Sequence, residues 1–263
     1  MFRRKSKAKL KSIVKTKPSA PLGKRAYAVG DVHGRLDLLN QLLAQIEGDI
    51  DALPPKENHI IFLGDLIDRG PASRQVIERL INYKPLNACC HFIMGNHEEV
   101  LVRGLTGDAQ LLDGWIEHGG DATAESYGLD AAYLRIQGQT ALEHALISAI
   151  PKGHIRFLAD FIDSVRFGDY LMVHAGVRPG VPIADQKPSE MRWIREEFLD
   201  SEENHGCVVI HGHTVEEQIT KRENRIGIDT GAYRTGILSA VRLDGPDICF
   251  FQTKLKHAAI EHP

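Results

Sequence analysis

The sequence predicts an α/β protein whose sheet is at least partly parallel. Short apolar runs with strand character alternate with segments whose apolar residues recur at helical spacing. Three of the runs stop at a glycine that precedes Asp31, Asp65 or Asn96. These three residues follow one another at about the 30-residue length of a βαβ unit. Adjacent parallel strands would therefore present them together at the carboxyl edge of the sheet, where α/β proteins bind ligands.

The elements of the first half follow the order β-α-β-α-β. The strands are predicted at 25–29, 60–63 and 92–94, each as a mainly apolar run that ends in Gly and a polar residue. Between them, leucine and isoleucine recur at helical spacing over 36–46 and 76–81. Parallel pairing of the three strands follows from the helices that connect them.

A different pattern begins near residue 104. Residues 104–165 contain helix-like and glycine-broken segments, which we interpret as a helical insertion over the sheet edge. Short strands then return at 170–173, 207–210, 225–228, 237–243 and 248–253. The sequence shows no clear helix between them, so we expect an antiparallel-rich second sheet.

Composition excludes several classes of protein. The 263 residues carry a net charge of -3 and are 43% hydrophobic, which is ordinary for a globular protein. No stretch approaches the roughly 20 apolar residues of a membrane span. The cysteines at 89, 90, 207 and 249 form no Cys-x-x-Cys pair, which argues against a zinc knuckle or a disulfide scaffold. We expect free thiols and a cytoplasmic location.

The first 25 residues hold ten Lys or Arg and no acidic residue. We interpret 1–24 as a basic, disordered tail and 25–263 as the folded domain. A tail of this charge would suit an acidic partner, a nucleic acid or an anionic membrane, or would serve as a transit peptide.

The predicted strand ends supply a candidate metal-binding set of two carboxylates, one amide and three imidazoles. Its members are Asp31, His33, Asp65, Asn96, His174 and His213. Oxygen and nitrogen ligands without a thiol suit Mn, Fe or Zn. Six ligands exceed the needs of one four-coordinate ion, whereas two ions sharing a carboxylate, about 3.5–4 Å apart, would use all six for phosphoryl transfer. His211 lies two positions before His213 on the same strand face, so either imidazole could reach the metals.

Motifs in a fixed order carry a family resemblance. They are GDxHG at 30–34, GDxxDRG at 64–70, GNHE at 95–98, HAG at 174–176, Trp193-x-Arg195, GHT at 212–214 and IDTGA at 228–232. The chain resembles the calcineurin-like metallophosphoesterases of the PPP phosphoprotein phosphatase family. It is most similar to the bacterial and bacteriophage lambda phosphatase branch, and the resemblance covers about 25–245.

The resemblance implies two packed mixed sheets flanked by helices, and a role for each site residue. Asp31 and His33 would bind one metal, Asp65 would bridge, and Asn96, His174 and His213 would bind the second; Mn²⁺ is favoured, with Fe or Zn as alternatives. A hydroxide between the metals would attack phosphorus in line. His97 would be the general acid, oriented by Asp68. Arg69 and Arg195 would bind phosphate, with Arg192 and Arg234 as alternatives to Arg195.

The resemblance leaves the substrate open. A metal-dependent phosphatase for phosphoserine and phosphothreonine, or one of dual specificity, is favoured. The alternative is a hydrolase of small phosphoesters or of dinucleoside polyphosphates such as diadenosine tetraphosphate. The symmetrical diadenosine tetraphosphatases carry Ala where this chain has Asp68, and Asp where it has Glu98, which favours the phosphatase branch. A non-catalytic binding module is disfavoured because every chemical position is filled.

Overall fold

A computed structural model describes residues 17–253 of the chain. In chain order the strands are β1 (Lys24–Val29), β2 (Glu57–Phe62), β3 (Ala88–Phe92), β4 (Ser164–Phe167), β5 (Tyr170–Val173), β6 (Val208–His211), β7 (Thr220–Lys221), β8 (Arg225–Gly227), β9 (Ser239–Asp244) and β10 (Asp247–Gln252). Within this part of the chain they form two five-stranded sheets, ordered β10-β9-β1-β2-β3 and β4-β5-β6-β8-β7.

Helices connect and cover the strands. They are α1 (Leu36–Ala52), α2 (Ser73–Ile81), α3 (Asn96–Thr106), α4 (Leu111–Trp115), α5 (Asp121–Ser126), α6 (Ala131–Gln137), α7 (Gln139–Ala149), α8 (Lys152–Ala159), α9 (Pro188–Trp193), α10 (Glu196–Leu199) and α11 (Ala232–Thr235). A π-helical turn at Ile116–Gly120 joins α4 to α5, and a 3₁₀ turn lies at Ile183–Asp185. The predicted α/β fold of two mixed sheets flanked by helices is confirmed.

Alternating side chains of β1 explain why helices cover one face of the first sheet and the second sheet covers the other. Tyr27 and Val29 pack in the core shared with the helices, whereas Ala26 and Ala28 pack in the core between the sheets. Successive residues of a strand point to opposite faces. The small alanines therefore let the second sheet approach, and a third core covers its outer face with α9 and α10.

The parallel pairing of β1, β2 and β3 is confirmed, but the expectation for the second half is wrong in two respects. β9 and β10 join the first sheet, where β9 pairs antiparallel with β1. The centre of the second sheet is parallel, with β6 between β5 and β8. Parallel neighbours need a long crossover, and α9 and α10 lie in the one from β5 to β6. These two helices are too short to show a helical period in the sequence.

Helices α4 to α8 occupy most of the stretch where the sequence predicts a helical insertion, and they pack on the helical side of the first sheet. Most of the predicted basic tail, residues 1–16, lies outside the described residues. Residues 17–23 are described and contact the second sheet: the Ser19 amide donates to Asp169 at 2.9 Å, and the Tyr170 hydroxyl donates to the Pro18 carbonyl at 3.1 Å. Residues 17–23 of the predicted tail are therefore in contact with the folded domain. No helix within 17–253 is both long and apolar enough to cross a membrane.

Candidate metal centre and active site

The loops after β1, β2, β5 and β6 meet at one edge of the two sheets. The backbone amide of His33 donates to the carbonyl of Asp65 at 2.8 Å, which joins the first two loops. Gly212 donates to the carbonyl of His174 at 2.8 Å, and the His213 amide donates to an Asp31 carboxylate oxygen at 3.0 Å. The parallel strands of both sheets thus deliver their terminal polar residues to a common site.

Left-handed backbone is concentrated at this site. Within residues 17–253, the non-glycine residues with positive φ are His33, Asp65, Asp68, Arg69 and His213. Each carries a side chain that costs energy in this conformation. Strained backbone of this kind persists where the surrounding contacts enforce it, and it is typical of functional sites.

Asn96, His174 and His213 converge around one oxygen of Asp65. The Oδ1 atom of Asn96 lies 2.9 Å from Nε2 of His174 and 2.8 Å from Nδ1 of His213. His174 Nε2 lies 3.4 Å from Asp65 Oδ1. The Nδ1–H of His174 donates to the carbonyl of Leu63 at 2.8 Å, which turns Nε2 toward Asp65. These four side chains could hold one cation.

His33 faces the other oxygen of Asp65, at 3.6 Å from Nε2 to Oδ2. Its Nδ1–H donates to the Ile67 carbonyl at 2.7 Å, so Nε2 is the nitrogen that carries the lone pair. Burial lowers the pKa of His33 to about 3. Burial is also the largest cause that lowers the pKa of His213, to about 2. Both imidazoles are therefore neutral at pH 7, as a metal ligand must be.

Asp31 approaches the same centre from the end of β1. Burial first, and then the charges of Asp229 and Asp65, raise the pKa of its carboxyl well above the usual range. A Cβ on Gly212 would lie 1.9 Å from Asp31 Oδ1, so glycine is required at this close approach. Buried carboxylates packed together in this way call for a cation.

The residues fit a pair of divalent cations. Two groups, each within 4.8 Å, could hold a metal ion in the described chain: His33, Asp65 and His97, and Asp65, His174 and His213. Asp65 belongs to both groups, as a bridging carboxylate would. Asp31 Oδ1 and His213 Nε2 are buried without a hydrogen-bond partner among residues 17–253. Orphaned acceptors of this kind are what a metal ion would satisfy.

His97, at the start of α3, forms a buried pair with Asp68. Its Nδ1 lies 2.6 Å from Asp68 Oδ2, and its ring is turned so that Nε2 lies 3.9 Å from Asp65 Oδ2. Burial by itself lowers the pKa of His97, but the charge of Asp65 and the hydrogen bond to Asp68 raise it to about 9. The imidazole is thus held ready to carry a proton beside the candidate metal centre.

Arg69 extends over the site. Its guanidinium lies 2.9 Å from His33 Nε2 and 3.0 Å from His97 Nε2, and 4.9 Å from the ring centre of Tyr233. Arg195 is exposed, and its charge is close enough to His213 to contribute to the lowered pKa of that imidazole. Arginines beside a cluster of imidazoles and carboxylates are the groups that would bind an anion there.

The structure distinguishes between residues that the sequence left as alternatives. His213 joins the cluster, whereas the ring of His211 packs against Phe198 with centroids 5.1 Å apart. Arg192 is held in ion pairs with Glu99 and Asp163, so it is less free than Arg195 to bind phosphate. The roles assigned to the site residues from the resemblance stay predictions. The structure does bring the candidate metal ligands, His97 and Arg69 close together.

Glu98 is a site residue whose function sequence reasoning missed. Its carboxylate accepts the backbone N–H groups of Asp65 and Leu66 at 2.8 and 2.7 Å and is completely buried. Burial first, and then the charge of Asp65, raise its pKa to about 7. Glu98 therefore holds the strained loop that presents Asp65, and its place in the GNHE motif was the only signal.

Thr123 and Asp229 were also missed. Thr123 donates to Asp68 at 2.6 Å from inside the predicted insertion, where no motif marks it. Asp229 follows β8 and accepts the amide of Gly231 at 2.9 Å. Its other oxygen is buried and, within 17–253, has no hydrogen-bond partner. The IDTGA motif contains Asp229, but that motif alone suggested no role.

Comparison with models of protein families identifies the family of this chain. The model described as calcineurin-like phosphoesterase matches residues 24–236. The chain belongs to this family. It is accordingly a metal-dependent phosphoesterase, and the two overlapping His and Asp groups agree with the dinuclear centre of the family. The predicted likeness to the metallophosphoesterases is confirmed.

Relatives of known name differ in what they hydrolyse. The chain is 28% identical to an asymmetrical bis(5'-nucleosyl)-tetraphosphatase, PrpE, of Anoxybacillus flavithermus, over 81% of this chain and 88% of that protein. It is 27% identical to serine/threonine-protein phosphatase 2 of Escherichia coli, over 82% and 92%. A crystal structure of a putative diadenosine tetraphosphatase shares the fold, with a TM-score of 0.61 and 19% identity over 90% of this chain and 96% of that one.

Proposed function

We propose that this phosphoesterase is a protein phosphatase that hydrolyses phosphoserine and phosphothreonine, with phosphotyrosine as a second substrate class. The observation that carries the proposal is the buried pair of His97 and Asp68 at 2.6 Å. A serine or threonine alkoxide is a poor leaving group that needs a proton as it departs. A positioned general acid supplies about 10²–10⁴-fold in rate for such a step.

The other residues bind and orient. One divalent ion would be held by Asp31 and His33. The other would be held by Asn96, His174 and His213, and Asp65 would bind both ions. When bound, the pair of ions, for which we propose Mn²⁺, supplies Lewis-acid activation of water and neutralises phosphate charge. Arg69 and Arg195 would bind the phosphate oxygens through charge-assisted hydrogen bonds.

Proton transfer rests on this chain's own residues. Asp68 holds the Nδ1–H of His97, so the Nε2 atom faces the entrance between Arg69 and Asp65. In this structure Nε2 accepts from Arg69; with Arg69 turned to the phosphate and a proton on Nε2, it would donate that proton to the departing oxygen. Asp68 would stabilise the imidazolium before transfer.

Hydrolysis of a dinucleoside polyphosphate is the second candidate. Its support is the likeness to PrpE, which is as strong as the likeness to the phosphatase of Escherichia coli. A phosphate leaving group departs more readily than an alkoxide, so this reaction would depend less on His97.

A comparison of substrates tests both candidates. The values of kcat/KM for a phosphoserine peptide, a phosphotyrosine peptide, p-nitrophenyl phosphate and diadenosine tetraphosphate are measured with Mn²⁺. We expect the phosphoserine peptide to exceed the dinucleotide. We expect His97→Asn to lower kcat by about 10²–10⁴-fold on phosphoserine and far less on p-nitrophenyl phosphate, whose leaving group needs no proton. Preference for the dinucleotide, or equal losses on both phosphomonoesters, would overturn the proposal.

A further inference from the structure

A chain of buried hydroxyl groups joins the helical insertion to the candidate general acid. Thr123 Oγ1 in α5 lies 2.6 Å from Asp68 Oδ1 and 2.9 Å from Ser73 Oγ. The other oxygen of Asp68 lies 2.6 Å from His97 Nδ1. Asp68, Ser73 and Thr123 are fully buried. Because water does not reach these groups, each depends on the others for its hydrogen bonds.

The direction of the side-chain hydrogen bonds to Asp68 follows from its carboxylate having only acceptors. The Asp68 carboxylate can only accept, so the Thr123 hydroxyl donates its one proton to Oδ1. The hydroxyl oxygens of Ser73 and Thr123 also accept the backbone N–H of Asp68, at 3.0 Å and 2.9 Å. The Nδ1–H of His97 donates to Oδ2. Both oxygens of Asp68 are thereby committed, and its side chain has one orientation.

We infer that Thr123 is a positioning residue that holds Asp68, and through it the ring of His97, in the orientation from which the leaving group receives its proton. This inference rests on the proposed function of His97. Thr123 itself touches neither metal ligands nor phosphate-binding residues by hydrogen bond among the described contacts. Its effect on the reaction would pass through Asp68 alone.

The insertion is anchored on both sides of Thr123, to the loop after β2 and to the start of α2. The Gly119 carbonyl accepts the backbone N–H of Arg69 at 2.9 Å, and Ser126 Oγ accepts that of Arg74 at 3.1 Å. A Cβ on Gly119 would lie 2.6 Å from Arg69 Cγ, so the two segments are in close contact. These anchors keep Thr123 in place, which makes the general acid dependent on a segment outside the family motifs.

The test compares Thr123→Val, which keeps the shape and removes the hydroxyl, with Thr123→Ser, which keeps the hydroxyl. We expect Thr123→Val to lower kcat on a phosphoserine peptide about 10- to 100-fold, as for loss of a hydrogen bond to a charged group. The loss on p-nitrophenyl phosphate should be less than about threefold, because nitrophenolate leaves without a proton. KM should change little, and Thr123→Ser should recover most of the phosphoserine activity.

Ser126→Ala is the control within α5, since it removes a contact with the start of α2 and one with the Thr123 carbonyl but none with Asp68. Its activity on both substrates should stay near that of the wild type. Circular dichroism and metal content establish that each variant is folded and loaded. Should Thr123→Val not fold, Thr123→Ala replaces it, with Thr123→Ser again as the rescue.

The outcomes separate this inference from the proposed function. Equal losses on the two substrates in folded Thr123→Val, no loss on phosphoserine, or failure of folded Thr123→Ser to recover activity would overturn the role of Thr123. If His97→Asn shows the leaving-group dependence and Thr123→Val does not, the proposed function stands and the inference falls. If His97→Asn does not show it either, the proposed function falls first.

Discussion

The backbone N–H of Asp65 donates to the buried carboxylate of Glu98 at 2.8 Å. Asp65 has a left-handed backbone (φ 48°), which only strong local contacts sustain. The same carboxylate holds the next amide, that of Leu66, at 2.7 Å. Glu98 of the GNHE motif thus fixes the backbone of the GDxxDRG motif, and the position of Asp65, the candidate bridging ligand, depends on this contact.

Glu98→Gln should therefore weaken both the fold and the metal centre. An amide offers a single acceptor oxygen, so buried N–H groups of the 65–67 loop would lose a partner, at about 1–3 kcal/mol each. Urea unfolding and Mn²⁺ titration calorimetry measure the two effects. Glu125→Gln, an exposed change in α5, is the control. Unchanged stability and Mn²⁺ affinity in Glu98→Gln would show that the carboxylate does not support the loop.

Removal of metal should abolish activity, and Mn²⁺ should restore it, since the donor atoms are oxygen and nitrogen. Asp65→Asn should lose both ions. Its activity should fall by more than the roughly 10–100-fold typical of losing a residue that only supports a metal ligand. Asp31→Asn should be milder because it affects one ion. Metal content by mass spectrometry, beside turnover of p-nitrophenyl phosphate, checks both. Two bound ions and normal turnover in Asp65→Asn would contradict a bridging role.

The imidazole of His97 should titrate near pH 9 in the metal-free protein, since the charge of Asp65 and the hydrogen bond to Asp68 outweigh burial. A raised histidine pKa stabilises the fold below the unfolded value of 6.5, and this contribution is lost as pH rises through about 9. Asp68→Asn should move the pKa down toward 6.5. Imidazole NMR titration measures it, with His97→Asn to assign the signal. A pKa of 6.5 or below in the wild type would contradict the prediction.

Deletion of residues 1–16 should leave hydrolysis of p-nitrophenyl phosphate unchanged, because no candidate site residue lies there. Deletion of 1–22 should in addition lower the melting temperature, because it removes the contacts of Pro18 and Ser19 with the second sheet. We propose that the basic segment binds an acidic partner, and such binding should weaken steeply with salt. Binding that is indifferent to salt, or equal melting temperatures of the two deletions, would be the contrary results.

The parallel core of the fold was predictable because its signal is local. The runs that end at Asp31, Asp65 and Asn96 carry strand, glycine and ligand within a few residues each. β9 and β10 gave a strand signal but no sheet assignment. Their place in the first sheet depends on the pairing of β9 with β1, more than 200 positions away, and such pairing is decided by packing, which a strand pattern does not report.

The sequence by itself determined the family, and it supplied the predicted metal ligands and the predicted general acid, since these reside in short motifs whose spacing is set by the strands. Only the tertiary structure decided that His213 enters the site while His211 packs on Phe198, and that Thr123 completes the environment of Asp68 from 55 positions away. The physical reason is that a buried polar group must find its partners in space, and a threonine in a short helix without a motif carries no mark of the carboxylate it will meet.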